Sequence, residues 1–230
     1  KAVTRRGDRI FSGLSVGSGL AILVTLAAVA AFLIYMAIPA LTADPSEVRG
    51  GEGLASYVAP LIFGTLYSSI IALIIAFPLS IGIALFITHY APRKLAAGLG
   101  YIVDLLAAVP SIIFGLWGLQ IASSAVPTFG WLNKTLGWLP PFGGNVTVTG
   151  RTMLMIGIVL AIMILPIMTA VNREVFLQTP QLHEEASLAL GATRWEMIQQ
   201  AVIPFGRSGI ISCMMLGLGR ALGETMAVAI

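Results

Sequence analysis

The stretch LSVGSGLAILVTLAAVAAFLIYMAI, residues 14–38, holds 25 residues and no acidic or basic side chain. Crossing about 30 Å of hydrocarbon takes about 20 helical residues, because only a helix satisfies its own backbone polar groups without water. The run is long enough for that, and it exceeds the apolar core of about 7–15 residues in a secretory signal peptide. Lys1, Arg5, Arg6 and Arg9 precede it. The stretch therefore reads as a first membrane span behind a basic segment, 1–13.

The same pattern recurs along the chain. Residues 54–88 are uncharged, more than one straight span needs, so an entry segment bent near Pro60 is expected before a span at 60–88. Further spans are expected at 101–123, 152–171 and 208–230, with Pro78, Pro110 and Pro166 as kink positions. The fold class is thus all-α: a polytopic transmembrane helical bundle, one domain over 1–230, with five spans visible. The chain opens on Lys rather than Met and stops at Ile230 within an apolar run, which reads as a trimmed piece of a longer protein with at least one further span.

Composition agrees. Of the 230 residues 57% are apolar and 10% charged, with a mean hydropathy of +0.94. A water-soluble domain carries about 25% charged residues. Disordered, collagen-like and disulfide-built classes fall as well, since the polar residues, repeats and cysteines they need are missing and Cys213 is alone. Basic residues set the orientation. With the N-terminus inside, Lys1, Arg5, Arg6, Arg9, Arg93, Lys94, Arg173, Arg194 and Arg207 face the cytoplasm, against Arg49, Lys134 and Arg151 outside. The positive-inside rule favours that arrangement.

The polar segment 172–207 then lies inside. Thr179-Pro180 marks a helix start with Glu184 and Glu185 near its positive end. Leu182, Ala186, Ala189 and Leu190 give that helix an apolar face, and Gly191 permits a sharp turn. A second short helix is expected from Thr193 to Val202, stopped by Pro204. Two short helices with an exposed apolar face suit a groove on a partner protein, or equally the membrane surface.

Glu185-Ala186-Ser187, three residues, Gly191, nine residues and Ala201-Val202-Ile203-Pro204 resemble the EAA loop of binding-protein-dependent ABC importer permeases. Ser187, Ala201 and Ile203 depart from that pattern. Ala91-Pro92, the run Ala108–Gly118 (AVPSIIFGLWG) and the run Gly217–Val228 (GLGRALGETMAV) are similar to phosphate importer permeases, the PstC type more than the PstA type. The resemblance implies a type I ABC importer permease fold. It also implies a coupling role for Glu185, Ala186, Ser187, Gly191, Ala192 and Pro204 against a dimer of ATP-binding subunits that hold Mg-ATP. The further partners it implies are a second, PstA-like permease subunit and an extracytoplasmic phosphate-binding protein. The expected setting is the lipid of a bacterial inner membrane, with no nucleic acid.

Charges inside spans are costly and mark functional sites by default. Arg220 and Glu224 stand four apart and are expected on one face of the helix. A guanidinium donates two parallel hydrogen bonds to a tetrahedral oxyanion and stays charged at physiological pH. The expectation is that Arg220 meets inorganic phosphate in transit and that Glu224 holds Arg220 between cycles; sulfate or another oxyanion would fit nearly as well. The other reading of the pair is an ion pair that only holds the bundle together. Asp104 is the third such charge, expected to cap or pair near the cytoplasmic end. Gly115, Gly118, Gly217, Gly219 and Gly223 are expected to let helices approach closely.

No G-x-x-x-x-G-K-[ST] loop occurs, so ATP hydrolysis is expected on a separate chain and none here. The only histidines, His89 and His183, fall in separate loops, which leaves no set for metal binding or for catalysis by this chain. An ion-coupled secondary transporter, the competing class, should show paired halves with broken helices; no convincing internal repeat is visible.

Overall fold

The computed structural model describes residues 6–42, 44, 53–139, 142 and 152–225. Lys1 and Arg5 of the basic segment, Arg49 and Arg151 of the outer connectors, and residues 226–230 of the fifth expected span lie outside the described residues. The chain forms two compact units, 1–61 and 62–230, each described here by itself.

The first unit contains α1, Arg6–Thr42, with Pro39 in its last turn. Its hydroxyls fold back on the helix: Ser18 donates to the Ser15 carbonyl at 2.9 Å and Thr25 to that of Ala21 at 2.8 Å. A hydroxyl satisfied within its own helix suits a segment surrounded by hydrocarbon.

The helix α2, Leu54–Leu85, runs from the first unit into the second without interruption across Pro60 and Pro78, and a π-helical turn, Phe86–Tyr90, extends it. The expected bend near Pro60 is therefore absent as a break in the helix. Then follow α3 (Arg93–Ala107), α4 (Ser111–Ser124), α5 (Val126–Leu136) and α6 (Met153–Leu177). The hairpin helices α7 (Gln181–Ala189) and α8 (Arg194–Met197) precede a second π turn, Ile198–Val202, and α9 (Ile203–Leu222).

Among the described residues four helical stretches are long and apolar enough to cross a membrane: Gly7–Leu41, Leu54–Tyr90, Met153–Leu177 and Arg194–Leu222. The third expected span, 101–123, is not one straight helix: α3 and α4 meet at 89°. Pro110 lacks an N–H and keeps Val109 out of the helical region, so the ladder stops there. The Ala108 and Val109 amides turn back to the carbonyls of Leu105 and Leu106, both at 3.2 Å. Together the bent pair would make a fifth span.

The centre of the second unit is α6. Leu160, Ile164 and Met168 are buried against Ala72 and Ala76 of α2 and Cys213 and Ala221 of α9. A second cluster joins the end of α2 (Ala84, Leu85), Phe176 of α6, Met197, Ile198 and Val202 of the hairpin's second arm, and Ile210 of α9. Between membrane helices close packing replaces the hydrophobic effect as the driving force, and small residues allow it. At Gly157 an added Cβ would stand 2.6 Å from Ile71 Cγ2, and at Gly217 the same distance from Met168 Sδ. Gly118 meets Val159 in the same way. Gly219, expected to belong with these, faces open space, and Gly223 caps α9 instead.

Two helix ends differ from expectation for one reason. The polar segment begins at Asn172, yet α6 continues to Leu177 because Asn172 and Phe176 are buried in the core; at the other side α9 already begins at Ile203. The segment outside these two helices is thus 178–202. Hydropathy marks where hydrocarbon ends, whereas the helix ends where its packing ends.

Candidate functional site

Pro180, at φ −62°, leads into α7, which carries Glu184 in its first turn and has no buried residue. Glu185 and Ala186 are exposed, and Leu182 and Leu190 present 76% and 90% of their surfaces. Ser187 turns inward: its Oγ is buried without a hydrogen-bond partner. Restoring the alanine of the EAA pattern by Ser187→Ala is expected to leave stability unchanged or raise it by up to about 1 kcal/mol, since an unsatisfied buried hydroxyl is removed. Thermal unfolding of the purified chain would read this.

Gly191 makes the turn at φ +88°, a region where an L side chain costs about 1–2 kcal/mol. Its amide donates to the Leu188 carbonyl at 3.0 Å, and that of Ala192 to Ser187 at 3.3 Å. Thr193 then opens α8 with a capping box: the Glu196 amide donates to Thr193 Oγ1 at 3.3 Å, and the Thr193 amide to Glu196 Oε2 at 2.7 Å. Thr193→Ala should cost about 1 kcal/mol locally. Faster amide exchange at Glu196 and Met197, with the α9 amides unchanged, is the expected observation.

Pro204 does not stop the second helix. It lies in the first turn of α9, and helix runs continuously from Arg194 to Leu222. The π turn makes this possible: the Ile203 amide reaches back five residues to the Ile198 carbonyl, and the wider turn accommodates a proline that has no N–H to give. The end of α2 repeats the device, with the Ala91 amide on the Phe86 carbonyl at 2.8 Å before Pro92.

Side chains tie this hairpin to the bundle. His89, in the π turn that ends α2, places Nε2 3.5 Å from Glu184 Oε1, and its carbonyl accepts from Arg194 Nη1 at 3.3 Å. His183 is exposed and sets its ring edge-on to Phe205 at 6.2 Å. Asp104 takes the pairing role expected for it, accepting from Arg173 Nη2 at 3.2 Å. Arg173 lies across Gly100, where any Cβ would collide with the guanidinium. Deeper in the bundle, buried Asn172 donates to Ser80 Oγ at 3.1 Å and joins α6 to α2.

At the far end of α9, Arg220 occupies the last turn, about 26 Å along the helix from Ile203. Its Nε is buried and, among the described residues, has no hydrogen-bond partner. Glu224 lies beyond the cap at Gly223. The expected i, i+4 relation on one helical face is therefore not kept, because α9 ends at Leu222. No group of three or more metal-binding side chains occurs among the described residues.

The second unit thus holds membrane-length helices, an exposed hairpin before the helix Ile203–Leu222 and Arg220 in that helix's last turn. The sequence profile of the binding-protein-dependent transport system inner membrane component matches residues 80–230, and the chain belongs to that family. It is 48% identical, over 98% of its length, to the phosphate transport system permease protein PstC 2 of Mycobacterium tuberculosis (strain ATCC 25618 / H37Rv), of which it covers 73%. It is equally similar to the phosphate transport system permease protein PstC of Mycobacterium leprae (strain TN), at 48% over 99% of this chain and 75% of that protein. The protein of the same name from Xylella fastidiosa (strain Temecula1 / ATCC 700964) is 45% identical over 73% of this chain and 53% of its own length. The chain is thus a multi-pass bacterial membrane protein and a component of an ABC transporter complex.

Proposed function

We propose that this chain is the PstC-type membrane-spanning subunit of an ATP-driven importer, and that it passes inorganic phosphate by alternating access. The observation that carries the reading is one continuous helix, Arg194–Leu222, with an exposed apolar hairpin before it and, in its last turn, Arg220, whose buried Nε has no hydrogen-bond partner among the described residues. A rigid rod joining a docking surface to an anion contact converts movement at one into a change at the other.

The N-terminus and the 178–202 hairpin face the cytoplasm. There Leu182, Leu188 and Leu190 enter a groove on an ATP-binding subunit, one of two that hold Mg-ATP. Glu185, Ala186, Gly191 and Ala192 shape the docking arm, and Pro204 with its π turn carries the movement into α9. A second, PstA-like permease subunit completes the path, and a phosphate-binding protein delivers the anion from outside. Arg220 offers phosphate its planar fork; Glu224, a few residues away, limits the attraction so that the anion is released.

The assembled complex in proteoliposomes tests this. Phosphate-loaded binding protein should stimulate ATP hydrolysis and uptake together, and sulfate-loaded binding protein should do neither. Equal stimulation by sulfate, or uptake driven by an ion gradient without ATP, would overturn the proposal.

A further inference from the structure

His89 touches both arms of the hairpin from the end of α2. Its imidazole is 8% exposed; Nδ1 lies 2.6 Å from Thr88 Oγ1 and Nε2 3.5 Å from Glu184 Oε1 of α7, while its carbonyl accepts from Arg194 of α8. The Thr88 hydroxyl also reaches the Ala84 carbonyl at 2.9 Å, so Thr88 fixes the ring against the end of α2. The Glu184 carboxylate only accepts, so Nε2 is the nitrogen that presents a proton to it. The contact with Glu184 is a polar link across the joint.

The hairpin is continuous with α9 but meets α2 only through space. Apolar contacts of Ala84 and Leu85 with Met197, Ile198 and Val202 hold the second arm there, whereas α7 buries nothing. Apolar surfaces slide; a polar contact anchored to Thr88 sets register. We infer that His89 is a positioning residue of the transport cycle, clasping α7 to the end of α2 so that movement of the hairpin reaches α2 as well as α9. The charged groups around the joint are Glu184, Arg194 on the His89 carbonyl, and Arg93, Arg173 and Asp104 in the cavity beside Thr88. This inference rests on the transport reading above.

The test uses the full complex and the full chain. His89→Gln and Glu184→Gln should each lower phosphate uptake per ATP hydrolysed up to about fivefold, with subunit co-purification unchanged. The double variant should be no worse than either single one, and His89→Arg, which offers Glu184 a charged donor, should recover most of the ratio. Since the chain has two histidines, nitrogen-15 spectra of the histidine-labelled chain isolate the contact without any substrate. A protonated Nε2 on His89, and signals that move in Glu184→Gln while those of His183 stay, are expected. An unprotonated His89 Nε2, an unchanged uptake ratio in His89→Gln, or losses that multiply in the double variant would overturn the clasp. A parent complex that moves no phosphate would overturn the transport reading instead, and the spectra would still decide the clasp.

Discussion

Arg220→Gln is expected to reduce phosphate uptake by the reconstituted complex about ten- to hundredfold, with assembly intact. The arginine supplies a fixed charge in the last turn of α9, and a hydrogen bond to a charged group contributes about 1.5–3 kcal/mol, with each 1.4 kcal/mol worth a factor of ten. Glutamine keeps the length and a donor but neither the charge nor the fork. Arg220→Lys should therefore fall between the two, since an ammonium attracts phosphate as a point charge without the bidentate geometry. Uptake at the parental rate by Arg220→Gln would remove the arginine from the transport path. Co-purification of the ATP-binding subunits separates a transport defect from failure to assemble, since the docking site proposed for them lies at the other end of α9.

The second large effect is structural. Gly157→Leu should prevent the bundle from packing, seen as loss of a monodisperse species in detergent or a large fall in Tm. The Cβ alone would stand 2.6 Å from Ile71 Cγ2, 2.9 Å from Ile71 Cβ and 3.4 Å from the Ser68 carbonyl. A β-branched neighbour cannot swing aside, and the backbone of α2 lies behind it. Overpacking of a core costs about 1–3 kcal/mol and more where nothing can move, so Gly157→Ala should already destabilise. The contrast is Gly82→Ala, at a helical position with nothing within 4 Å, where the gain in helix propensity should leave stability equal or up to about 1 kcal/mol higher.

The parts of this molecule legible in sequence are those whose cause is local. Charge-free runs mark the spans because a buried helix satisfies its own backbone, whatever surrounds it. The hairpin is legible through Pro180 and Gly191, each acting on its own neighbours. The fate of a proline is less local. Pro110 turns the chain by 89°, whereas Pro60, Pro78 and Pro204 lie inside continuous helix, and only the surrounding packing and the π turn distinguish them. The relation of Arg220 to Glu224 likewise depended on a helix end, which no charge pattern marks.

The sequence by itself determined a bundle of membrane-length helices, the hairpin and the position of the arginine. All follow from hydropathy, backbone chemistry and spacing within a few residues. Tertiary structure alone decided which distant groups meet: His89 with Glu184, Asp104 with Arg173, Ser80 with Asn172, and Gly157 with Ile71. Each pair is separated by roughly seventy residues or more. No local preference specifies such a meeting; it exists only once the helices have packed.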